Sequence, residues 1–190
     1  MRKIIFGALL AVVLPAAAAQ AGTVDVFAFA NSSSGGVGQF SGLNLTTGEN
    51  FSVSASSTDL WNAGDLPRWS NADGLVGDLF ATGSDDSGQP LGTLIGQAFP
   101  LWTEANLTAP YGSLVGEIGG VFEFLGTSFS GPAWGTGALN LYYWDSNFGD
   151  NSQFVTVTTS ASVPEPVTLS LFGAGLAGAA AWSRRRKGKR

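Results

Sequence analysis

Apolar and polar residues alternate in short runs through the middle of the chain, and each run is closed by Gly, Ser, Asn, Asp or Pro. A period of two, broken every few residues by turn formers, predicts short strands. "TVDVFAFA" at 23–30 reads as a first strand and "NSSSGG" at 31–36 as a turn. "QFSGLNL" and "NFSVSAS" flank "TTGE" and read as a hairpin with Gly48 at its tip. Order returns in "PLGTLIGQA" (90–98), "YGSLVGEIGG" (111–120) and "VFEFLG" (121–126), the last two hairpinned through Gly119 and Gly120. "GALNLYYW" (137–144) and "QFVTVTTS" (153–160) are the last two strands. Residues 60–90 carry Gly, Asp, Asn and Pro throughout and show no sustained period, so they read as a long loop excursion. Loops of that length in a compact domain often carry function. Outside the termini no helical stripe exceeds two turns and no tandem repeat is visible. The pattern predicts an all-β sandwich or barrel.

The termini break this pattern. "MRKIIFGALLAVVLPAAAAQA" has a basic start at Arg2 and Lys3, an apolar run from Ile4 to Leu14, and the small-x-small triplet Ala19-Gln20-Ala21. That is the build of a signal peptide, a helix in transit through the Sec translocon, with cleavage expected between Ala21 and Gly22. At the other end, Val167 to Trp182 are sixteen largely apolar residues without charge. As a helix they extend about 24 Å, slightly short of a hydrocarbon core of about 30 Å. Six basic residues follow and would hold that end in the cytoplasm. Pro164 and Pro166 keep the preceding segment extended. The expected organisation is a signal segment 1–21, a β body 22–162 and a C-terminal segment 163–190 whose short helix anchors the chain in the membrane.

Composition narrows the chemistry. The chain has no Cys and no His. That excludes disulfides, Ser-His-Asp and Cys-His catalysis, and every Cys/His metal site. Only oxygen-ligand metals such as Ca²⁺ stay in view. Charge is segregated: in residues 22–162 the single arginine Arg68 faces thirteen acids, a formal −12. Such a body does not seek nucleic acid. Paired carboxylates for glycoside hydrolysis would have to come from residues such as Glu117 and Glu123. Solvated strand positions explain these two more simply, and no enzyme is expected.

The loop after the penultimate strand, "DSNFGDN" at 145–151, places Asp145, Asn147, Asp150 and Asn151 within seven residues. Ca²⁺ takes six to eight oxygens from carboxylates, amides, backbone carbonyls and water, and this loop offers several. The same residues are also ordinary turn chemistry. A second segment would complete the shell, and the loop "WNAGD" at 61–65 is a candidate through a carbonyl. Trp61 and Trp69 lie in the irregular excursion. Either they stack on sugar faces, as large amphipathic rings do, or they plug the end of the body. Trp102, Trp134 and Trp144 flank or sit in strands and read as core.

The order of "QFSGLNLTTGENFSVSAS", "LWNAG", "APYGSLVGEIGG", "GTSFSGPAWGTGALNLYYWD" and "GDNSQFVTV" resembles the calcium-dependent galactophilic bacterial lectins, the LecA-like family. The resemblance implies a two-sheet antiparallel β-sandwich, jelly-roll-like, with Ca²⁺ bridging protein and sugar hydroxyls. It implies Asp145 as a calcium aspartate that also touches sugar, Asp150 and Asn151 as paired ligands with Asp150 beside the sugar, and a backbone carbonyl near Ala63. Two departures matter. The loop from Asp145 to Gly149 is shorter than in the galactose-binding members, so Asn147 or Phe148 would supply its carbonyl ligand. The family's sugar loop bears His, and this chain has none, so galactose specificity does not carry over.

"VPEP", "LSLFGAGLAGAAAW" and "RRRKGKR" together resemble the tripartite PEP-CTERM sorting domain of exopolysaccharide-producing Gram-negative bacteria. This implies recognition by an exosortase-type membrane protease at or near Pro164, Glu165 and Pro166. It implies a transient inner-membrane anchor over 167–182, removal of the tail, and release to the cell surface or extracellular matrix. The expectation is an exported protein with a calcium-dependent carbohydrate-binding domain, for which the cell's own exopolysaccharide is a natural partner. The alternative is a structural matrix or biofilm protein on the same fold with no ligand site.

Overall fold

The computed structural model describes residues 20–161 and, beyond them, the helical positions Gly173, Gly175 and Leu176. These two groups belong to separate compact units. The expected signal helix and the span 167–182 otherwise lie outside the described residues. Among the described residues no helix is long and apolar enough to cross a membrane.

Two four-stranded antiparallel sheets make the body. The first contains β1 (Gln20–Phe27), β3 (Asn50–Ala55), β12 (Ser128–Pro132) and β14 (Phe154–Ala161), in the order β1-β14-β3-β12. The second contains β2 (Gln39–Leu45), β10 (Ser113–Ile118), β11 (Val121–Phe124) and β13 (Gly137–Trp144), in the order β11-β10-β13-β2. Both contribute to one apolar core. Val26, Val53, Val155 and Val157 come from the first sheet, and Leu43, Leu114, Leu139 and Leu141 from the second. Each such side chain, fully buried, contributes about 1.5–3 kcal/mol. Strand β14 shows the underlying alternation plainly: Val155, Val157, Thr159 and Ala161 turn inward while Phe154, Thr156 and Thr158 are exposed. The two sheets face each other across this core as a sandwich.

Three short ladders fill the segment between β3 and β10: β4 (Trp61–Asn62) with β5 (Trp69–Ser70), β6 (Leu79–Phe80) with β7 (Leu94–Gly96), and β8 (Leu101–Glu104) with β9 (Leu107–Pro110). The β8–β9 hairpin covers the outer face of the second sheet, where Ala109, Val115 and Trp144 form a separate cluster. Strand β10 is therefore buried on both faces, with Leu114 and Ile118 in the main core and Val115 beneath the hairpin.

The hairpin predicted at Gly119 and Gly120 is present. Ile118 pairs with Val121, and both glycines have positive φ, 64° and 86°. A two-residue turn of that hand matches the strand twist and favours Gly. The hairpin predicted across "TTGE" is corrected. Strand β2 pairs with β13 and β3 pairs with β14 and β12, so the chain crosses from one sheet to the other at residues 46–49. The reason is burial: Leu43 and Leu45 enter the core from one sheet, Phe51 and Val53 from the other. The expected long loop at 60–90 is also corrected in part, since β4, β5 and β6 fall inside it. Strands β8, β9 and β12 were not predicted.

Candidate functional site

The site forms where the chain leaves β13 and turns toward β14. Strand β13 ends at Trp144, and a side segment pins the next residue from outside. Tyr143 N–H donates to the Asn31 carbonyl (2.9 Å) and Ser33 N–H donates to the Tyr143 carbonyl (2.9 Å). The Ser33 hydroxyl donates to the Asp145 carbonyl (3.1 Å) and accepts from the Asp145 N–H (3.3 Å). Asp145 is held at 4% exposure by this arrangement. Its Oδ1 accepts from Ser146 N–H (2.8 Å), while its Oδ2 is buried with no hydrogen-bond partner.

A 3₁₀ turn, Phe148–Asp150, carries the loop onward. Asn147 caps it, accepting from Gly149 N–H (3.2 Å) and donating to Asp150 Oδ1 (2.9 Å). Asn151 follows, 7% exposed; its amide nitrogen donates to the Ala28 carbonyl (3.1 Å), and its Oδ1 is buried without a partner. Buried polar atoms without partners are rare, because each loses its water and receives nothing in return. Here two such oxygens lie in one loop, six residues apart in sequence.

The first loop is stitched to this one. Asn62 and Ser152 exchange backbone hydrogen bonds at 3.0 and 3.1 Å. Ala63 thereby lines the same cavity as Asp145, Asn147 and Asp150, a space of about 170 Å³. Gly64 has φ +117°, and a Cβ there would stand 2.5 Å from Asp150 Oδ2. At that φ a side chain is strained, and Gly leaves room for the Asp150 carboxylate beside the loop. Thus the structure brings Asp145, Asn147, Asp150, Asn151 and Ala63 into one neighbourhood.

Trp61 and Trp69 do not join them: of the two readings, burial in the body holds and stacking on sugar is corrected. Trp61 is fully buried, packed edge-on against Tyr143 with ring centroids 4.5 Å apart. Its indole N–H donates to the carbonyls of Gly112 (2.7 Å) and Asn71 (3.2 Å). Trp69 is 7% exposed and packs with Leu60, Ala81 and Ile95. Trp61 belongs to the main core and Trp69 to a separate small cluster, because a large apolar area is stabilised more by burial than by exposure. Trp144 is buried, while Trp102 and Trp134 are partly so.

Sequence reasoning missed the cavity's other wall. Arg68, Leu75, Phe99, Tyr111 and Ser146 complete the lining. Arg68 lies over the Phe99 ring, 5.4 Å from its centroid, and 4.0 Å from Asp150 Oδ2. Phe99 meets Tyr111 edge-on at 5.2 Å, and the Tyr111 hydroxyl bonds to the Ser146 hydroxyl at 3.0 Å. One signal was available: Arg68 is the single cation of the body.

Burial pushes the Asp145 carboxyl above the ordinary range, and the nearby Asp150 charge adds to this. The Asn151 side chain and the backbone N–H groups of Ser146 and Asn147 oppose it. Tyr143, beneath, is pushed well up by its own burial and then by Asp145 and Asp150. Anions therefore accumulate at this end against one partly exposed arginine. Among the described residues no three of His, Cys, Asp and Glu gather as a metal cluster. Any cation here rests on two carboxylates supplemented by neutral oxygens, a hard all-oxygen set that suits Ca²⁺.

Glu117 and Glu123 do not pair. Glu117 stands opposite Phe122 and Glu123 opposite Gly116, so their side chains leave opposite faces of the sheet. Glu117 accepts from Asn140 (2.9 Å) and from Gly120 N–H. At the N-terminal boundary, Ala21 and Gly22 lie inside β1, paired with Ser160 and Thr159. Pro164, Glu165 and Pro166 lie outside the described residues.

No curated protein matches the chain. A solved chain described as "EclA N-terminal domain; PllA-like lectin" is similar at 18% identity, over 75% of this chain and 95% of that one, with a TM-score of 0.44. The sequence model of the PEP-CTERM protein-sorting motif matches residues 162–186. That motif is a substrate signal for exosortase, a membrane protease, and implies export with membrane-anchored sorting. The chain carries at its C-terminal end a PEP-CTERM protein-sorting motif.

Proposed function

We propose that this exported chain is a calcium-dependent carbohydrate-binding protein of the cell surface or extracellular matrix. The observation that carries the reading is the pair of buried, unpartnered oxygens, Asp145 Oδ2 and Asn151 Oδ1, beside a small cavity lined by Asp150, Asn147 and Ala63. Those residues fit an oxygen-coordinated cation. Asp145 and Asp150 would supply charge, Asn151 its amide oxygen, and Asn147 and Ala63 an oxygen each. A bound calcium ion supplies open coordination positions for vicinal hydroxyl groups of a sugar. The chain's own part is to orient the carboxylates, exclude water behind Asp145, and offer the rings of Phe99 and Tyr111 as an apolar wall.

Sorting completes the proposal. Translocation through the Sec machinery and signal cleavage near Ala21 and Gly22 place the body outside the membrane. Residues 167–182 hold it there until processing near Pro164, Glu165 and Pro166 releases it. Exopolysaccharide outside the cell is the natural ligand class. The test is melting of the full chain in a non-ionic detergent, with millimolar CaCl₂ or with chelator. A ligand of the native state raises its stability, so calcium is expected to raise the Tm. Asp145→Ala and Asp150→Ala are expected to abolish that rise. An unchanged Tm overturns the calcium site and favours a structural matrix protein. A glycan array with and without chelator then tests sugar binding.

A further inference from the structure

The only cation of a body carrying thirteen acids stands in the wall of its candidate binding cavity. Arg68 is placed there by structure on both sides. Its carbonyl accepts from Ala63 N–H (3.0 Å), and its backbone bridges to Gly96. A Cβ at Gly96 would stand 2.1 Å from the Trp69 carbonyl oxygen, so the strand beneath Arg68 approaches only because that residue is Gly. The guanidinium lies over Phe99, another residue of the cavity wall. Its nearest anion, Asp150 Oδ2 at 4.0 Å, is beyond hydrogen-bonding distance. The other oxygen of Asp150 is already taken by Asn147. The guanidinium meets the Phe99 ring and makes the long ion pair with Asp150, so its planar fork of donors is open to a hydrogen-bonding partner.

Charge accounting points to what uses it. Asp145, Asp150 and Arg68 leave the site at −1. With a divalent cation the site becomes +1, and an anionic ligand neutralises it while a neutral sugar does not. Arginine is also the side chain whose geometry matches a carboxylate in two parallel hydrogen bonds. The −12 of the body opposes approach of an anion. At physiological salt that field decays over about 8 Å, whereas Arg68 acts at contact. The cavity suits one ring rather than a long segment.

We propose that the site selects a carboxylate-bearing sugar, a uronate-type unit, with Arg68 reading the carboxylate beside the calcium-held hydroxyl groups. This rests on the calcium reading above and names its ligand class.

The test titrates the full chain in a non-ionic detergent and millimolar CaCl₂ with glucuronate, galacturonate, glucose, galactose and acetate, using calorimetry. A charge-assisted pair is worth about 1.5 kcal/mol or more, so at least one uronate is expected to bind about tenfold tighter than its neutral counterpart. Acetate is expected to bind more weakly than that uronate, since it lacks the ring. Arg68→Met is expected to bring the uronate-to-neutral ratio to about one, and Arg68→Lys to restore part of it. Equal binding of uronates and neutral sugars overturns the proposal, as does a ratio that survives Arg68→Met or acetate binding as tightly as uronate. If Arg68→Met does not fold, the ratio measured on the unaltered protein and on Arg68→Lys decides alone. A calcium-induced Tm rise without uronate preference overturns this inference and leaves the calcium site standing. Uronate preference without a calcium-induced Tm rise overturns the calcium site and the calcium-held hydroxyl groups with it, and leaves only the reading of the carboxylate by Arg68.

Discussion

Replacing Asp145 by Asn separates the cost of the buried carboxylate from its use. In the protein without calcium, Asp145 Oδ2 and Asn151 Oδ1 are both buried acceptors lacking donors. Leaving such a group unsatisfied costs about 1–3 kcal/mol. Asp145→Asn keeps the shape and removes the buried charge. The expected result without calcium is a gain of about 1–2 kcal/mol, which for a body of this size is about 3–8 °C in Tm. Calcium should act on only one of the two proteins. With a dissociation constant of about 10⁻⁴–10⁻³ M, common for extracellular modules, 10 mM calcium stabilises the unaltered protein by about 1.4–2.7 kcal/mol. That is about 4–10 °C, and Asp145→Asn should show none of it. pH gives a second check. The Asp145 carboxyl is raised by burial, so the folded state binds its proton more tightly than the unfolded state. Without calcium, its contribution therefore weakens folding as pH rises from the unfolded value of 3.8 through the raised folded value. The advantage of Asp145→Asn should vanish below that window and be complete above it. The measurement is differential scanning calorimetry of both proteins from pH 3 to 8, with and without calcium. If Asp145→Asn destabilises the calcium-free protein, or melts higher with calcium, the reading of the two unpartnered oxygens is wrong.

Other predictions test the frame around the site. Gly64→Ala forces a Cβ to 2.5 Å from Asp150 Oδ2 at φ +117°; it should cost about 1–3 kcal/mol in chemical denaturation. The same change should weaken calcium binding about tenfold by calorimetry, as displacement of a ligand's support does. Asp85 has a carboxyl lowered to about 2, chiefly by the Ser87 hydroxyl and also by Thr82. Its contribution is present above pH 3.8 and lost as pH falls through about 2, so the amide resonances of Thr82 and Ser87 should titrate with a midpoint near 2. Because Asp85 is only partly buried, in a largely exposed turn, the global melt should respond little to Asp85→Asn. Replacing Pro164, Glu165 and Pro166 together by Ala should leave residues 163–190 attached, and intact mass of the membrane fraction from the producing cell checks this.

Much of the fold is legible locally. Alternation in "QFVTVTTS" corresponds to Val155, Val157 and Thr159 turning inward on β14, and Gly119-Gly120 marks the β10–β11 hairpin because no other pair takes that backbone as cheaply. The candidate loop is legible too, since its Asx residues lie within seven positions of one another. Strand partners are not. "TTGE" has the length of a hairpin, yet β2 and β3 pair with different neighbours because each buries its apolar face from a different sheet. The β8–β9 hairpin alternates weakly, as its value lies in covering Val115 and Trp144 rather than in its own periodicity.

The site divides the same way. Residue types alone established that any metal would be held by oxygen, that His and Cys chemistry was absent, and that a sorting segment followed the body, because these depend on which groups exist and on short contiguous patterns. Long-range packing established the rest. It buried Trp61 and Trp69, left Phe99 and Tyr111 at the cavity, and set Arg68 beside Asp150, residues separated by most of a hundred positions. Those outcomes depend on which surfaces meet when two sheets close on one core, and no local run of sequence records that.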